Sequence, residues 1–328
     1  MKNTSEHHLP LILIFISLAF IFLVIYFPSS REMVPAGLPQ VPGPDENGQI
    51  ISHSPPPSPS GRIGIQAGHW KPEELPESMK ELRSSTGARQ NGVNEADINL
   101  RVAEMTAVLL RKIGWEVDVL PTTIPPAYQA DAFISLHADW GHNGRPRGWK
   151  TAPPWRPSPA SLSLESSLKK SFYAAGLPED GDNITVNMRG YYGFNYRYYS
   201  HAVSPYTPSV LVEMGYITNS LDLLLLTDGA PRMAEILAQG VMEFLQTQES
   251  KGPLWLVPPE YPPLVVGSSG AVVRKHAQPQ SSRLTEIASG ARVFILQKKE
   301  NWVEVFIRDP QPLTGWVYQG DLLGGLRE

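Results

Sequence analysis

The chain has 328 residues, 41% of them hydrophobic, enough for one large domain and a smaller one around real cores. Lys and Arg total 28 against 32 Asp and Glu, a net charge of −4, so the basic surplus that holds a phosphate backbone is missing and no nucleic-acid partner is expected. Cysteine is absent, which removes disulfides and thiolate metal sites and leaves His, Asp and Glu to hold any metal.

A tail of residues 1–8 precedes Leu9–Phe27, "LPLILIFISLAFIFLVIYF", 19 residues without a charge. That length crosses a hydrocarbon core of ~30 Å and exceeds the roughly 7–15 apolar residues of a cleavable signal. No small-x-small cleavage pattern follows in "PSSREMVPAG". The expectation is a retained single-pass membrane anchor. Residues 28–60, with "VPAGLPQVPGPDENGQ" and "SPPPSPSG", read as an extended Pro/Ser/Gly-rich linker.

From 61 to 249 strand-like and helix-like segments alternate, which predicts an α/β domain with a mixed, mostly parallel sheet flanked by helices. A strand at Ile63–Ile65 runs through Gly68 into His69 and Trp70. A helix opens after Asn94, a residue suited to the N-cap, with Ile98, Val102, Met105, Leu109 and Ile113 at helical spacing. Strands are expected at Ala132–Leu136, before His137, and at Ser209–Val212, before Glu213. The run "LDLLLL" at 221–226 reads as a buried helix turn. A second Pro-rich break, 250–270, leads to short β runs over 271–326 that suggest a small barrel.

Four residues carry chemistry. Taken singly, His69 and His137 are as well explained as hydrogen-bonded core histidines, Glu95 as a helix-dipole carboxylate and Glu213 as half of a core ion pair. Together they form a pattern. Three follow predicted parallel strands, where ligands of open α/β sheets collect, and Glu95 shares the inward face of its helix with Ile98 and Val102. Two imidazoles and one carboxylate are the ligand set of a catalytic zinc site, and a further carboxylate is then available to move protons.

These stretches resemble the zinc-dependent N-acetylmuramoyl-L-alanine amidases that cut bacterial peptidoglycan. "AGHW" is similar to the family's first-histidine motif, "NEADINLRVA" to its ligand glutamate, "ADAFISLHAD" to its second-histidine strand and "PSVLVEMGYITNSLD" to its catalytic-glutamate strand. The resemblance implies Zn²⁺ held by His69, Glu95 and His137, with Glu213 as proton shuttle. The bond cut would join the lactyl group of N-acetylmuramic acid to the L-alanine of the stem peptide. It further implies a peptidoglycan partner and a catalytic domain facing the cell wall, tied to the membrane by the anchor. Residues 271–326 resemble bacterial Src-homology-3-like domains, with Trp302 and Trp316 as candidate contacts to wall peptides or as core.

The chain departs from the family at Trp70, which follows the first histidine where a glycine is usual, and in "VDVLPTTIPPAYQ", which lacks a common arginine. Arg189, Arg197 and Trp70 are the expected substrate contacts, since an Arg fork suits carboxylates. "YYGFNYRYY" either stacks on sugars or packs under a loop, and His142 and His201 belong to surface or gating loops. Two rival functions share these residues: a domain that binds cell wall without cutting it, and a zinc carboxypeptidase or other amidohydrolase acting on cell-wall peptides. Nothing in the sequence fixes an oligomeric state.

Overall fold

A computed structural model describes residues 61–248, 251–262, 264–307 and 313–323. The expected anchor at 9–27 and linker at 28–60 lie outside the described residues. Among the described residues no helix is long and apolar enough to cross a membrane.

The larger domain opens with β1 (Arg62–Ala67), the two-residue strands β2 (Arg89–Gln90) and β3 (Val93–Asn94), and helix α1 (Glu95–Lys112). Strands β4 (Glu116–Leu120), β5 (Ala132–Asp139) and β6 (Lys150–Ala152) follow, then α2 (Pro159–Ala174), the single turn α3 (Val186–Arg189), β7 (Ser209–Tyr216), α4 (Ser220–Thr227) and α5 (Ala230–Gln248). The sheet order is β4-β1-β5-β7-β6. The first four strands run parallel and β6 closes the edge antiparallel, which makes the sheet mixed.

Side-chain alternation sorts the sheet into two unlike faces. Ile63 and Ile65 of β1, Ile134 and Leu136 of β5, and Val210 and Val212 of β7 point into one core shared with α1, α2 and α5. The other face carries Gln66, Phe133, Ser135, His137, Leu211 and Glu213. It is covered by the irregular segments around Ile124–Ala130 and Met188–Val203 and by the short α3. Helices therefore flank the sheet unequally, and the polar face lies away from the three long ones.

Two sequence readings change in detail. Asn94 occupies the N-cap position of α1 with extended backbone, but its side chain donates to Asp97 Oδ2 (2.8 Å) instead of capping the helix. In "LDLLLL", Leu226 is buried whereas Leu221 and Leu224 are more than half exposed, because α4 has a single buried stripe and is not enclosed all round.

The C-terminal part contains β8 (Leu264–Val266), β9 (Ala271–Arg274), β10 (Arg283–Ile287), β11 (Arg292–Lys299), β12 (Trp302–Ile307), β13 (Leu313–Tyr318) and β14 (Leu322–Leu323). They form an antiparallel sheet in the order β10-β9-β13-β12-β11-β8-β14 around Val273, Val293, Ile295, Val303, Val305 and Val317. Strand β12 is buried along both faces. Its Val303 and Val305 fill the small core, and the alternate residues Glu304 and Phe306 meet the larger domain: Glu304 pairs with Arg189, and Phe306 lies edge-on to Trp155 at 5.0 Å. Trp302, on that same face of β12, is nearly buried and edge-on to Tyr318, while Trp316 is half-buried. The Pro-rich connection is also held down, through Glu260, which pairs with Arg156 (3.1 Å) and Arg197.

Candidate metal centre

Pairing across the sheet builds the site. Gly68 extends the ladder beyond β1, donating its amide to Leu136 O (2.9 Å), and so lies beside His137. His137 pairs with Glu213 of β7, and Glu213 pairs with Lys150 of β6. Neighbours in register point to the same face, so Gly68, His137, Glu213 and Lys150 form one row. Gly68 has to be glycine: a Cβ there would stand 2.5 Å from Nε2 and 2.7 Å from Nδ1 of His137.

His69 lies two residues beyond β1 with φ 61°, a left-handed conformation that costs a non-glycine residue energy and concentrates at functional sites. Its Nδ1 donates to Ser85 O (2.8 Å), which fixes the tautomer and leaves Nε2 facing Glu95 Oε1 at 3.4 Å. Glu95 opens α1 and is 5% exposed. Its Oε2 accepts the Ala88 amide (2.8 Å), and its Oε1 accepts the Ala138 amide (3.2 Å) and faces His137 Nδ1 (3.1 Å). Asn99, one turn along, bridges Glu95 Oε1 and Gly68 O.

One ligand atom from each of His69, Glu95 and His137 lies within 4.8 Å of the other two. His137 Nε2 is buried without a hydrogen-bond partner, as is Glu213 Oε2. Orphaned polar atoms of this kind are costly unless something fills the space between them. Electrostatics favour donors over protons. Burial pushes the His69 imidazole below its ordinary value, outweighing the opposing pull of Glu95. Burial would raise Glu95, yet His69, His137 and the Ala88 amide together hold it at about 2. The group is thus a carboxylate between two imidazoles, one of them held neutral, which fits a divalent metal of borderline softness.

Glu213 stands apart from this trio in the middle of β7, with three strand residues after it, where the sequence had suggested a strand end. Burial pushes its carboxyl well above the ordinary range, with Asp139 and Glu95 adding to the rise and Lys150 opposing it. Beside it, Lys150 is 2% exposed and its Nζ meets Asp139 Oδ2 (2.6 Å) and Tyr216 Oη (2.8 Å). A register shift between His137 and Asp139 leaves β7 one residue longer than its partner. That bulge turns Tyr216 back toward the face of Glu213.

The sequence reading singled out neither Lys150, Asp139 nor Tyr216, and took Tyr191 only as part of "YYGFNYRYY". The signal for Lys150 was a lysine inside the apolar run "GWKTA". Tyr191 packs its ring edge-on to His137 at 5.6 Å and donates its hydroxyl to Gln66 Oε1 (2.7 Å). Its own hydroxyl is pushed up to about 12, chiefly by burial.

The three expected substrate contacts each have partners of their own. Arg189 is buried in its pair with Glu304 of the small sheet, and Arg197, half exposed, pairs with Glu260 of the Pro-rich connection. Trp70 packs against the main core with Lys71 Nζ 5.1 Å above its ring. His142 is exposed beside Trp140, and His201 Nδ1 donates to Ile124 O (2.8 Å). Most of "YYGFNYRYY" is packing: Tyr192, Phe194 and Tyr199 are buried in the second core, while Tyr198 is 64% exposed.

Comparison with known proteins supplies the family. Residues 267–324 match the bacterial SH3 domain, and no curated protein matches the chain. The amidase AmiC2 of Nostoc punctiforme is 19% identical over 58% of this chain and 99% of its own, with a TM-score of 0.43. Ami1 of Mycobacterium smegmatis is 17% identical over 58% and 99%, TM-score 0.42. Ami1 of Mycobacterium abscessus is 21% identical over 57% and 100%, TM-score 0.42. With residues 63–245 matching the family model described as N-acetylmuramoyl-L-alanine amidase, the chain belongs to that family.

Proposed function

We propose that this amidase is a zinc enzyme in which His69, Glu95 and His137 hold the metal and Glu213 moves the proton. The observation that carries the reading is the convergence of three donor groups around the unpartnered His137 Nε2, with an unpartnered Glu213 oxygen on the next strand. Zinc bound there would supply Lewis acidity toward the amide carbonyl and bring the pKa of a water toward ~7. The chain's own residues do the rest. Glu213 accepts the proton of the attacking water and passes it to the nitrogen of the leaving L-alanine. Its buried Oε2, which has no partner, is placed to take that proton and return it. Burial keeps His69 an unprotonated donor, the Ala88 and Ala138 amides favour the carboxylate of Glu95, and Ser85 O fixes which His69 nitrogen faces it.

The substrate is the amide between N-acetylmuramic acid and L-alanine. We place the enzyme at the outer face of the cell membrane, anchored by Leu9–Phe27 and reaching the wall through the Pro-rich linker. Mass analysis of products from purified peptidoglycan tests the reaction. Intact stem peptides with a free L-alanine amine are expected, along with loss of activity on chelation and its return with zinc. Release of single terminal amino acids would instead mark a carboxypeptidase.

A further inference from the structure

We propose that Lys150 is the positioning residue of the general base, its buried ammonium fixing the Glu213 carboxylate toward the metal centre. Register supplies the first argument. Lys150 and Glu213 are directly opposed across the antiparallel β6–β7 pair, and side chains in such a pair leave the sheet on the same face about 5 Å apart. Ala152 confirms the phase, since it pairs with Leu211 and both lie in the core of that face.

The second argument is the state of the lysine itself. A lysine almost wholly removed from water must be paired, because an isolated ammonium in the interior is expensive. The partners are anionic and fixed. Asp139 Oδ2 lies at 2.6 Å and Asp180 Oδ2 at 3.7 Å, and Tyr216 Oη, which donates to Asp180, accepts from Nζ at 2.8 Å. Asp139 is anchored in turn, its Oδ1 accepting the Trp140 amide (2.6 Å) and its carbonyl accepting the Ile217 amide (2.9 Å). The ammonium is therefore locked in place at the edge of the sheet. One step inward along the row is Glu213, whose Oε2 has no partner.

The Lys150 ammonium is committed to Asp139, Asp180 and Tyr216. A cation held at that point acts on Glu213 through its charge across the register pair, favouring the carboxylate orientation nearest it and countering the repulsion from Asp139 and Glu95. The buried polar cluster thus has a task beyond its own pairing, and the β7 bulge that brings Tyr216 onto this face is part of it.

The inference rests on the amidase reading, and the test separates the two. The full chain, loaded with zinc, is assayed on purified peptidoglycan as wild type, Lys150→Met and Lys150→Arg. A wild type that releases no stem peptide sinks the amidase reading and leaves the lysine to the thermal measurement. With an active wild type, Lys150→Met is expected to lose about 10–100-fold in kcat, the range typical of outer partners that orient a reacting group. KM and zinc content should be unchanged, and Lys150→Arg should recover most of the loss. An unchanged kcat, a loss confined to KM, or a parallel loss of zinc overturns the proposal. In the chelated chain, the fall in Tm caused by Lys150→Met should be smaller in a Glu213→Gln background, the mark of a direct coupling. Equal falls would show that the lysine serves Asp139 and Asp180 alone. Should Lys150→Met not fold, Lys150→Gln takes its place in both arms.

Discussion

Arg189 and Glu304 are 115 residues apart in sequence, yet their side chains form an ion pair in which each is 8% exposed. Glu304 is further held by Gln297 Nε2 (2.8 Å), and Arg189 lies over the Trp155 ring. The pair joins β12 of the small sheet to the turn that precedes Tyr191, so the C-terminal part and the segment over the metal centre share one buried contact.

Removing one partner strands the other. Glu304→Ala should lower the unfolding free energy by about 3–5 kcal/mol, because it leaves a buried guanidinium without its counter-charge. Urea unfolding measures this, and pairing the change with Arg189→Met should recover part of the loss. An effect below about 1 kcal/mol, the usual worth of an exposed pair, would show that the contact is open to water.

Glu213→Gln should reduce kcat by about 10²–10⁴-fold, the contribution typical of a positioned acid–base group, while leaving zinc bound. Stem-peptide release and metal analysis on the same sample check both halves. Release at the wild-type rate would remove Glu213 from the mechanism.

The raised proton affinity of Glu213 also has a sign. In the metal-free protein the folded state binds this proton more tightly than the unfolded chain does. Ionising the group therefore destabilises the fold as pH climbs from the ordinary carboxylate range through the raised value. Glutamine cannot lose the proton. Chelated Glu213→Gln should consequently melt higher than chelated wild type, with a gap that widens as pH rises through that window. A gap that narrows would contradict the burial of this carboxyl.

Gly68→Ala should weaken zinc binding about 10–100-fold, the scale of damage to groups that orient metal ligands, since the new Cβ would displace the His137 ring. Chelator competition gives the affinity. As a second readout, zinc at 100 times its Kd should stabilise the wild type by ~2.7 kcal/mol and give the variant a visibly smaller rise in Tm.

Sequence alone picked out the candidate metal group and the order of its members along the chain. His69, Glu95, His137 and Glu213 were legible because apolar strands and a patterned helix deliver them, and periodicity survives in one dimension. The α/β sheet and the antiparallel sheet lie on either side of the Pro-rich stretch at 251–263. Tertiary structure decided what depends on neighbours distant in the chain. Lys150 gains meaning only from register, which sets it opposite Glu213, and Gly68 only from the His137 ring that fills the space of its missing side chain. Arg189 and Arg197 looked available to a substrate because a sequence shows charge but not its partner. Arg189 is buried against Glu304 of the small sheet, whereas Arg197 keeps half its side chain exposed beside Glu260 of the connection. A side chain's type is local, whereas its exposure and its counter-charge are properties of the packed chain.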